Sequence, residues 1–161
     1  MHYFDASGSR VVSYSPPAAF VPHSSNGSYA FSSSNGDPAN GRVPNQGFEG
    51  LTVSTDNKLL FALLQSALIQ DGGSSNTKGR YARLLVLDIS TPSKPTAAHE
   101  YVVQLPTLSD GTTAAQSDIH YVKDNLLLML PRDGKGNGNG DAPPTAKQVR
   151  AVGHWPDAHR C

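Results

Sequence analysis

Phe48-Glu49-Gly50-Leu51-Thr52-Val53-Ser54, then Thr55-Asp56-Asn57-Lys58, then Leu59-Leu60-Phe61-Ala62-Leu63-Leu64-Gln65-Ser66: how this stretch is read decides the fold. Asp and Asn within Thr55–Lys58 favour a tight turn, because their short polar side chains bond nearby backbone and tolerate left-handed angles. The segment before the turn is then a strand. The segment after it is ambiguous, since Leu, Ala and Gln as far as Gln70 are good helix formers and Asp56 would cap a helix. The turn, and the strand-like segments that follow, favour a strand over Lys58–Ser66 and then a loop.

Further along, Arg83–Ser90 (RLLVLDIS) and His99–Leu105 (HEYVVQL) supply a third and a fourth strand candidate. Turn material bounds them: Gly72-Gly73-Ser74-Ser75-Asn76 and Thr91-Pro92-Ser93-Lys94-Pro95. Four short strands joined in succession describe one antiparallel four-stranded sheet. The layout then restarts with Asp118–Val122, a turn at Lys123-Asp124-Asn125, and Leu126–Leu130. The two turns lie further apart than the roughly 40–45 residues of a WD-type blade, as inserted loops would require. Upstream, His2–Asp5 and Arg10–Ser15 read as a hairpin around Gly8. Between them and Asn45, five prolines (Pro16, Pro17, Pro22, Pro38 and Pro44) are scattered among Ser, Asn and Gly. That composition predicts a long loop with few buried side chains.

The expected architecture is all-β, an incomplete β-propeller-like segment of antiparallel four-stranded blades with long loops. Residues 1–15 end a preceding blade, 16–44 form a disordered or loop segment, 45–136 form the propeller segment, and 137–161 form a disordered or aberrant tail. Ala146–Val149 is a further strand candidate. Arg150–Cys161 (RAVGHWPDAHRC) matches nothing expected there and reads as translated non-coding sequence or a gene model cut short.

Composition narrows the function classes. The 161 residues are 37% hydrophobic and 16% charged, with 15 Gly and 12 Pro, which suits strands and loops better than helices. Formal net charge is zero and no basic run occurs, so a nucleic-acid footprint is excluded. The longest apolar runs, Leu59–Leu64 and Leu126–Leu130, are far shorter than the roughly 20 residues of a membrane span. His2, Asp5 and Ser7 interrupt any signal-peptide core. Cys161 is the single cysteine, which rules out an internal disulfide or a cysteine-based zinc site. Asn26-Gly27-Ser28 is an N-glycosylation acceptor triplet and leans toward secretion. Nucleophile-elbow, P-loop, dinucleotide and zincin motifs do not occur.

Asn45–Ser54 (NQGFEGLTVS) resembles the N-x-GFEGL signature of the phytase-like ("esterase-like activity of phytase") family. Further motifs follow in that family's order: LLQS at Leu63–Ser66, RLLVLDIS at Arg83–Ser90, and EYVVQLP at Glu100–Pro106. Ser117-Asp118-Ile119 and Arg132-Asp133-Gly134 stand where the family carries its SD and RD elements. The resemblance spans residues 43–136. It implies a β-propeller-like fold in a longer, often secreted or extracytoplasmic protein, with phosphoester- or ester-hydrolysing activity. A family member continues through more blades than this chain contains.

Glu49 is the first candidate for chemistry, because flanking Gly47 and Gly50 let backbone approach a ligand closely. The first strand of a blade borders the central channel. The alternative is a structural hydrogen bond or salt bridge at the strand start. Asp118 begins the corresponding strand of the next blade and is expected to face the same channel. Glu49 and Asp118 together are candidate ligands for Ca²⁺, a hard cation that takes oxygen and could neutralise a phosphate. His120, two residues on and on the same strand face, is a candidate general base or simply a surface residue. Arg132 can grip phosphate or carboxylate, and Asp133 can orient it or bind metal; a turn-stabilising pair is the competing reading. Residues 133–144 superficially resemble a calcium loop, but Lys135 takes an oxygen position and Pro144 falls where the bidentate Glu belongs. The stretch therefore reads as a Gly-rich linker. Arg80 and Arg83 read as a solvated strand edge.

Two functions follow for the longer protein: a metal-assisted hydrolase with Glu49, Asp118, Arg132 and Asp133 in its site, or a non-catalytic propeller binding a ligand or protein through its loops. For the chain alone the expectation is inactivity. Leu85, Leu87, Leu126 and Leu128 would each lack a partner blade, forfeiting roughly 1.5–3 kcal/mol apiece against domain stabilities of about 5–15 kcal/mol.

Overall fold

A computed structural model describes residues 1–31, 38–124, 126–133 and 150–152. The Gly-rich stretch 134–149, Asn125 of the second turn, residues 32–37 of the proline-rich loop and the 153–161 tail lie outside it. Strands β1 (His2–Phe4) and β2 (Arg10–Ser13) form the expected hairpin. Its turn is built on Asp5, whose carboxylate accepts from the backbone N–H groups of Ser7 and Ser9 and from the Ser7 hydroxyl. Strands β3 (Phe48–Val53), β4 (Leu59–Leu64), β5 (Tyr81–Asp88) and β6 (Thr96–Gln104) form one antiparallel sheet in chain order. Strands β7 (Ala115–Lys123), β8 (Leu126–Arg132) and β9 (Arg150–Val152) form a third antiparallel sheet. The fold is all-β, and each sheet is open.

The ambiguous stretch is strand, followed by a loop with a single 3-10 turn at Ile69–Asp71. Helix propensity loses because β4 has two faces to fill. Phe61 and Leu63 enter a core with Leu84, Val86, Val103, Ile119, Leu127 and Met129, between the second and third sheets. Leu60 and Leu64 face the other way, with Leu85, Leu87, Leu68 and Phe20. A strand buried on both faces needs an unbroken apolar run, and LLFALL provides one.

That second cluster corrects one expectation. Leu85 and Leu87 do not lack a partner layer; each is 1% exposed. Their cover comes from the proline-rich loop, where Phe20 stacks on Phe48 at 5.5 Å, and from Met1 and Tyr14 flanking the hairpin. Phe20 and Val43 are buried, so the loop is a packed layer and not a bare tether. On the outer face of the third sheet Leu126 and Leu128 are half-buried, and Leu130 is 41% exposed. Arg83 also departs from a solvated edge. Its guanidinium grips Asp71 through two bonds of 2.6 and 2.8 Å and reaches Glu100 at 2.7 Å, fastening β5 and β6 to the 3-10 turn. Arg80 donates to the Leu105 carbonyl.

The deciding turn forms as its residues dictate. Asn57 is left-handed at φ 58°, and its N–H donates to the Ser54 carbonyl at 2.9 Å. The Ser54 hydroxyl donates to Asp56 at 2.6 Å, and the Lys58 N–H donates to the same oxygen at 3.1 Å. Chiefly because of the Ser54 bond, the Asp56 carboxyl titrates below its ordinary value of 3.8. A group depressed in this way favours the folded state above its unfolded pKa, and that contribution disappears as pH falls through the folded value. In Ser54→Ala the Asp56 midpoint should rise toward 3.8 when followed by carboxyl chemical shifts. A midpoint that stays put would assign the depression to the backbone donors instead.

Candidate functional site

The second and third sheets meet along β3 and β7, which run side by side in the same direction. Gly50 lies against Ile119 and Gln116, and the Tyr121 N–H donates to the Thr52 hydroxyl at 3.1 Å. Each of these strands carries an irregularity near its start. Glu49 is the extra residue between the pairs Phe48↔Leu64 and Gly50↔Leu63, and Ser117 is extra between Gln116↔Pro131 and Asp118↔Leu130. A bulge of this kind re-aims the extra side chain and is frequent beside functional sites.

Glu49 is re-aimed toward the other sheet. Its Oε1 accepts from Arg132 Nη2 at 3.4 Å, joining the start of β3 to the end of β8. The surrounding bonds fix the Gln65 amide so that Nε2 donates to the Asn45 carbonyl at 3.0 Å and Oε1 accepts from Arg132 Nη2. Gln65 is in turn held by backbone bonds, its N–H to the Gly47 carbonyl at 2.8 Å and its carbonyl from the Gln116 N–H at 3.0 Å. Asn45 takes a left-handed φ of 58°, which turns its carbonyl into this cluster. Arg132 Nε is buried without an acceptor, and Gln116 Oε1 is buried without a donor. Orphaned buried polar atoms cost about 1–3 kcal/mol each, and in native proteins such atoms call for an explanation beyond packing. The ion pair itself is partly solvated, with side chains 35% and 41% exposed, and an exposed pair adds little stability.

Arg132 and Asp133 also line a polar groove of about 390 Å³, whose other walls include Asn76, Thr77, Lys78 and Thr113. Three of the expected site residues, Glu49, Arg132 and Asp133, therefore gather at one edge of the molecule. Asp118 does not join them. Ile119 points into the shared core, so Asp118 and His120 project from the opposite, exposed face of β7. Asp118 Oδ1 accepts from the Ile119 N–H at 2.8 Å, and no hydrogen bond or ion pair links it to Glu49. Among the described residues no group of three or more His, Cys, Asp or Glu side chains is placed to hold a metal ion. Ca²⁺ takes about six to eight oxygens. Glu49, engaged by Arg132, and Asp118, on the exposed face of β7 with its Oδ1 accepting from the Ile119 N–H, do not by themselves assemble such a shell. Gln65, Gln116 and Lys78 were not expected at the site. LLQS placed Gln65 within a motif, but nothing in its spacing said that its amide would bridge two sheets.

This is an all-β protein of open antiparallel sheets whose edge site is a carboxylate–guanidinium pair shared between two of them. The chain belongs to the phytase-like family, described as "Esterase-like activity of phytase", whose family model matches residues 2–152. That match is wider than 43–136 and includes both the N-terminal hairpin and β9. The chain is also similar to an "Uncharacterized secreted protein" of Arthroderma benhamiae, with 39% identity over 154 residues. The alignment covers 83% of this chain and 30% of that relative, so the chain spans under a third of the relative's length. No solved structure matches it. Among the described residues no helix is long and apolar enough to cross a membrane.

Proposed function

We propose that this chain supplies one edge of the active site of a β-propeller hydrolase acting on phosphoesters or esters outside the cytoplasm. The observation that carries the reading is the Glu49–Arg132 pair, held by Gln65 across two sheets, with Arg132 also lining a polar groove. In this reading Arg132 binds the oxygen that gains charge during hydrolysis, through charge-assisted hydrogen bonds. Glu49 holds the guanidinium in place and, beside it, serves as a proton acceptor, and Asp133, next to Arg132 in the groove lining, is the second carboxylate of the site. No step is routed through calcium. The propeller itself is supported by the four-stranded sheet β3–β6, by the parallel approach of β3 and β7, and by their matching irregularities. On this reading the 161-residue chain alone is inactive, because further blades complete the ring around the site.

The test is hydrolysis of a generic phosphoester by a full-length member carrying this sequence. Glu49→Gln keeps the side-chain shape and removes the charge, and it should slow turnover by about tenfold or more, which corresponds to about 1.4 kcal/mol in the transition state. An unchanged rate removes Glu49 from the chemistry. The competing reading is a non-catalytic propeller that binds a ligand or protein through its loops. It is favoured by the placement of Asp118 and His120 on the outer face of β7, away from Glu49. In that case no phosphoester is turned over by the unaltered protein.

Secretion carries its own check. Asn26 sits in an exposed turn, where its Oδ1 accepts from the Ser28 N–H at 3.0 Å and the Ser24 hydroxyl at 2.6 Å. Produced through a eukaryotic secretory route, the protein should carry an N-glycan at Asn26. Asn26→Gln or endoglycosidase treatment should remove the same mass, and identical mobility in all samples would show that the site is unused.

A further inference from the structure

The proline-rich loop carries a larger groove, of about 520 Å³, whose lining includes five aromatic rings (Phe20, His23, Tyr29, Phe31 and Phe48) and Arg42. Its volume falls within the roughly 300–1,000 Å³ of ligand pockets. Backbone bonds fix the walls. The Ala30 N–H donates to the Pro22 carbonyl at 2.9 Å, the Ala39 N–H to the His23 carbonyl at 2.8 Å, and the Arg42 N–H to the Phe20 carbonyl at 3.2 Å. Gly41 is left-handed at φ 87°, and a Cβ there would lie 2.3 Å from the Val21 carbonyl oxygen, so only glycine lets the two arms of the loop close. Three of the rings stand in a row. His23 and Tyr29 are 5.0 Å apart, and Tyr29 and Phe31 are 5.6 Å apart with planes only 18° from parallel. Near-parallel rings at such separations are offset, which leaves part of each face open. Tyr29 is 71% and Phe31 63% exposed, and adjoining aromatic rings left this open mark a binding surface. The Arg42 stem passes over Gly47, and its guanidinium makes no ion pair with a described carboxylate. None of the lining residues is acidic.

That combination selects the ligand. A flat conjugated ring can extend an offset stack, and a carboxylate matches the planar fork of arginine through two parallel bonds. A saturated acid lacks the ring face, and a neutral arene leaves the guanidinium unmatched. One arginine balances one negative charge, which suits a carboxylate better than a doubly charged phosphate. We propose that the groove binds a planar aromatic carboxylate, with Arg42 holding the carboxylate and the Tyr29–Phe31 pair stacking on the ring. The site uses neither Glu49 nor Arg132, and it does not rest on the hydrolase reading.

The test is calorimetric titration of naphthoate into a full-length member carrying this sequence. Saturable binding is expected, weakened about tenfold in Arg42→Gln, a loss of about 1.4 kcal/mol. Tyr29→Leu and Phe31→Leu change exposed positions where folding should not depend on the ring, and each should weaken binding about threefold or more. Two further compounds separate charge from ring in the unaltered protein. Cyclohexanecarboxylate has the charge without the flat ring, and naphthalenemethanol has the ring without the charge. Each should bind about tenfold more weakly than naphthoate. Absence of naphthoate binding, equal binding by Arg42→Gln, unchanged binding by both ring variants, or equal binding of either control compound would each overturn the proposal. Tighter binding of a galacturonate oligomer than of naphthoate would overturn it as well, and would make the groove a sugar site.

Discussion

A Leu84→Ala chain should unfold about 2–5 kcal/mol more easily than the unaltered one. Leu84 is fully buried on β5, between its ladder partners Leu63 on β4 and Tyr101 on β6. Its side chain belongs to the core that joins the second and third sheets, together with Phe61, Ile119, Leu127 and Met129. Truncation removes transfer energy and leaves a void, because those neighbours come from two separate sheets and cannot collapse inward independently. Urea unfolding measures the loss as a lower midpoint at an unchanged slope. Val102→Ala is the control. Val102 lies on the neighbouring strand but is 63% exposed, and its loss should stay within about 0.5 kcal/mol. If both variants shifted the midpoint equally, the two sheets would not share this core in solution.

Gly50→Ala should cost about 1–3 kcal/mol, the usual penalty for overpacking. A Cβ at residue 50 would stand 2.9 Å from Ile119 Cγ1, closer than real Cβ contacts come, and a tight 3.0 Å from Gln116 Oε1. Both obstacles belong to β7, so relief requires β3 and β7 to separate. Ile119→Ala removes both γ carbons that would meet the new methyl, and the double variant should lose less than the sum of the single variants, a coupling of about 0.5 kcal/mol or more. Strict additivity would locate the penalty elsewhere. Separation would also draw Glu49, next in sequence, away from Arg132 on the far sheet. If the hydrolase reading holds, turnover by a full-length member should therefore fall along with stability, whereas Leu84→Ala should affect stability first.

Much of the fold could be read from the chain because local chemistry and burial agree. Thr55–Lys58 forms the turn its Asp and Asn favour, and the runs on either side fill two faces of a sheet, so the strand order followed. The role of the proline-rich loop could not be read. Phe20 and Val43 stand among prolines and glycines with no strand or helix periodicity, and nothing in the sequence announces that both are buried or that Phe20 covers Leu85 and Leu87. At the site, Glu49 and Arg132 stood out by residue type and motif. Their meeting, 83 residues apart in sequence, depends on how two sheets dock. Asp118 was misplaced for a related reason. Its strand position matches that of Glu49, but the irregularity at Ser117 sets which way the following side chains point, and Ile119 takes the inward direction.

Glu49 and Arg132 come from different sheets, and β3 meets β7 through side chains and a single hydroxyl, with no backbone ladder between them. A ligand gripped at their junction would act as a staple across that joint. Its binding energy would add directly to the cohesion of the two layers, so occupancy should register as heat resistance before any turnover is seen.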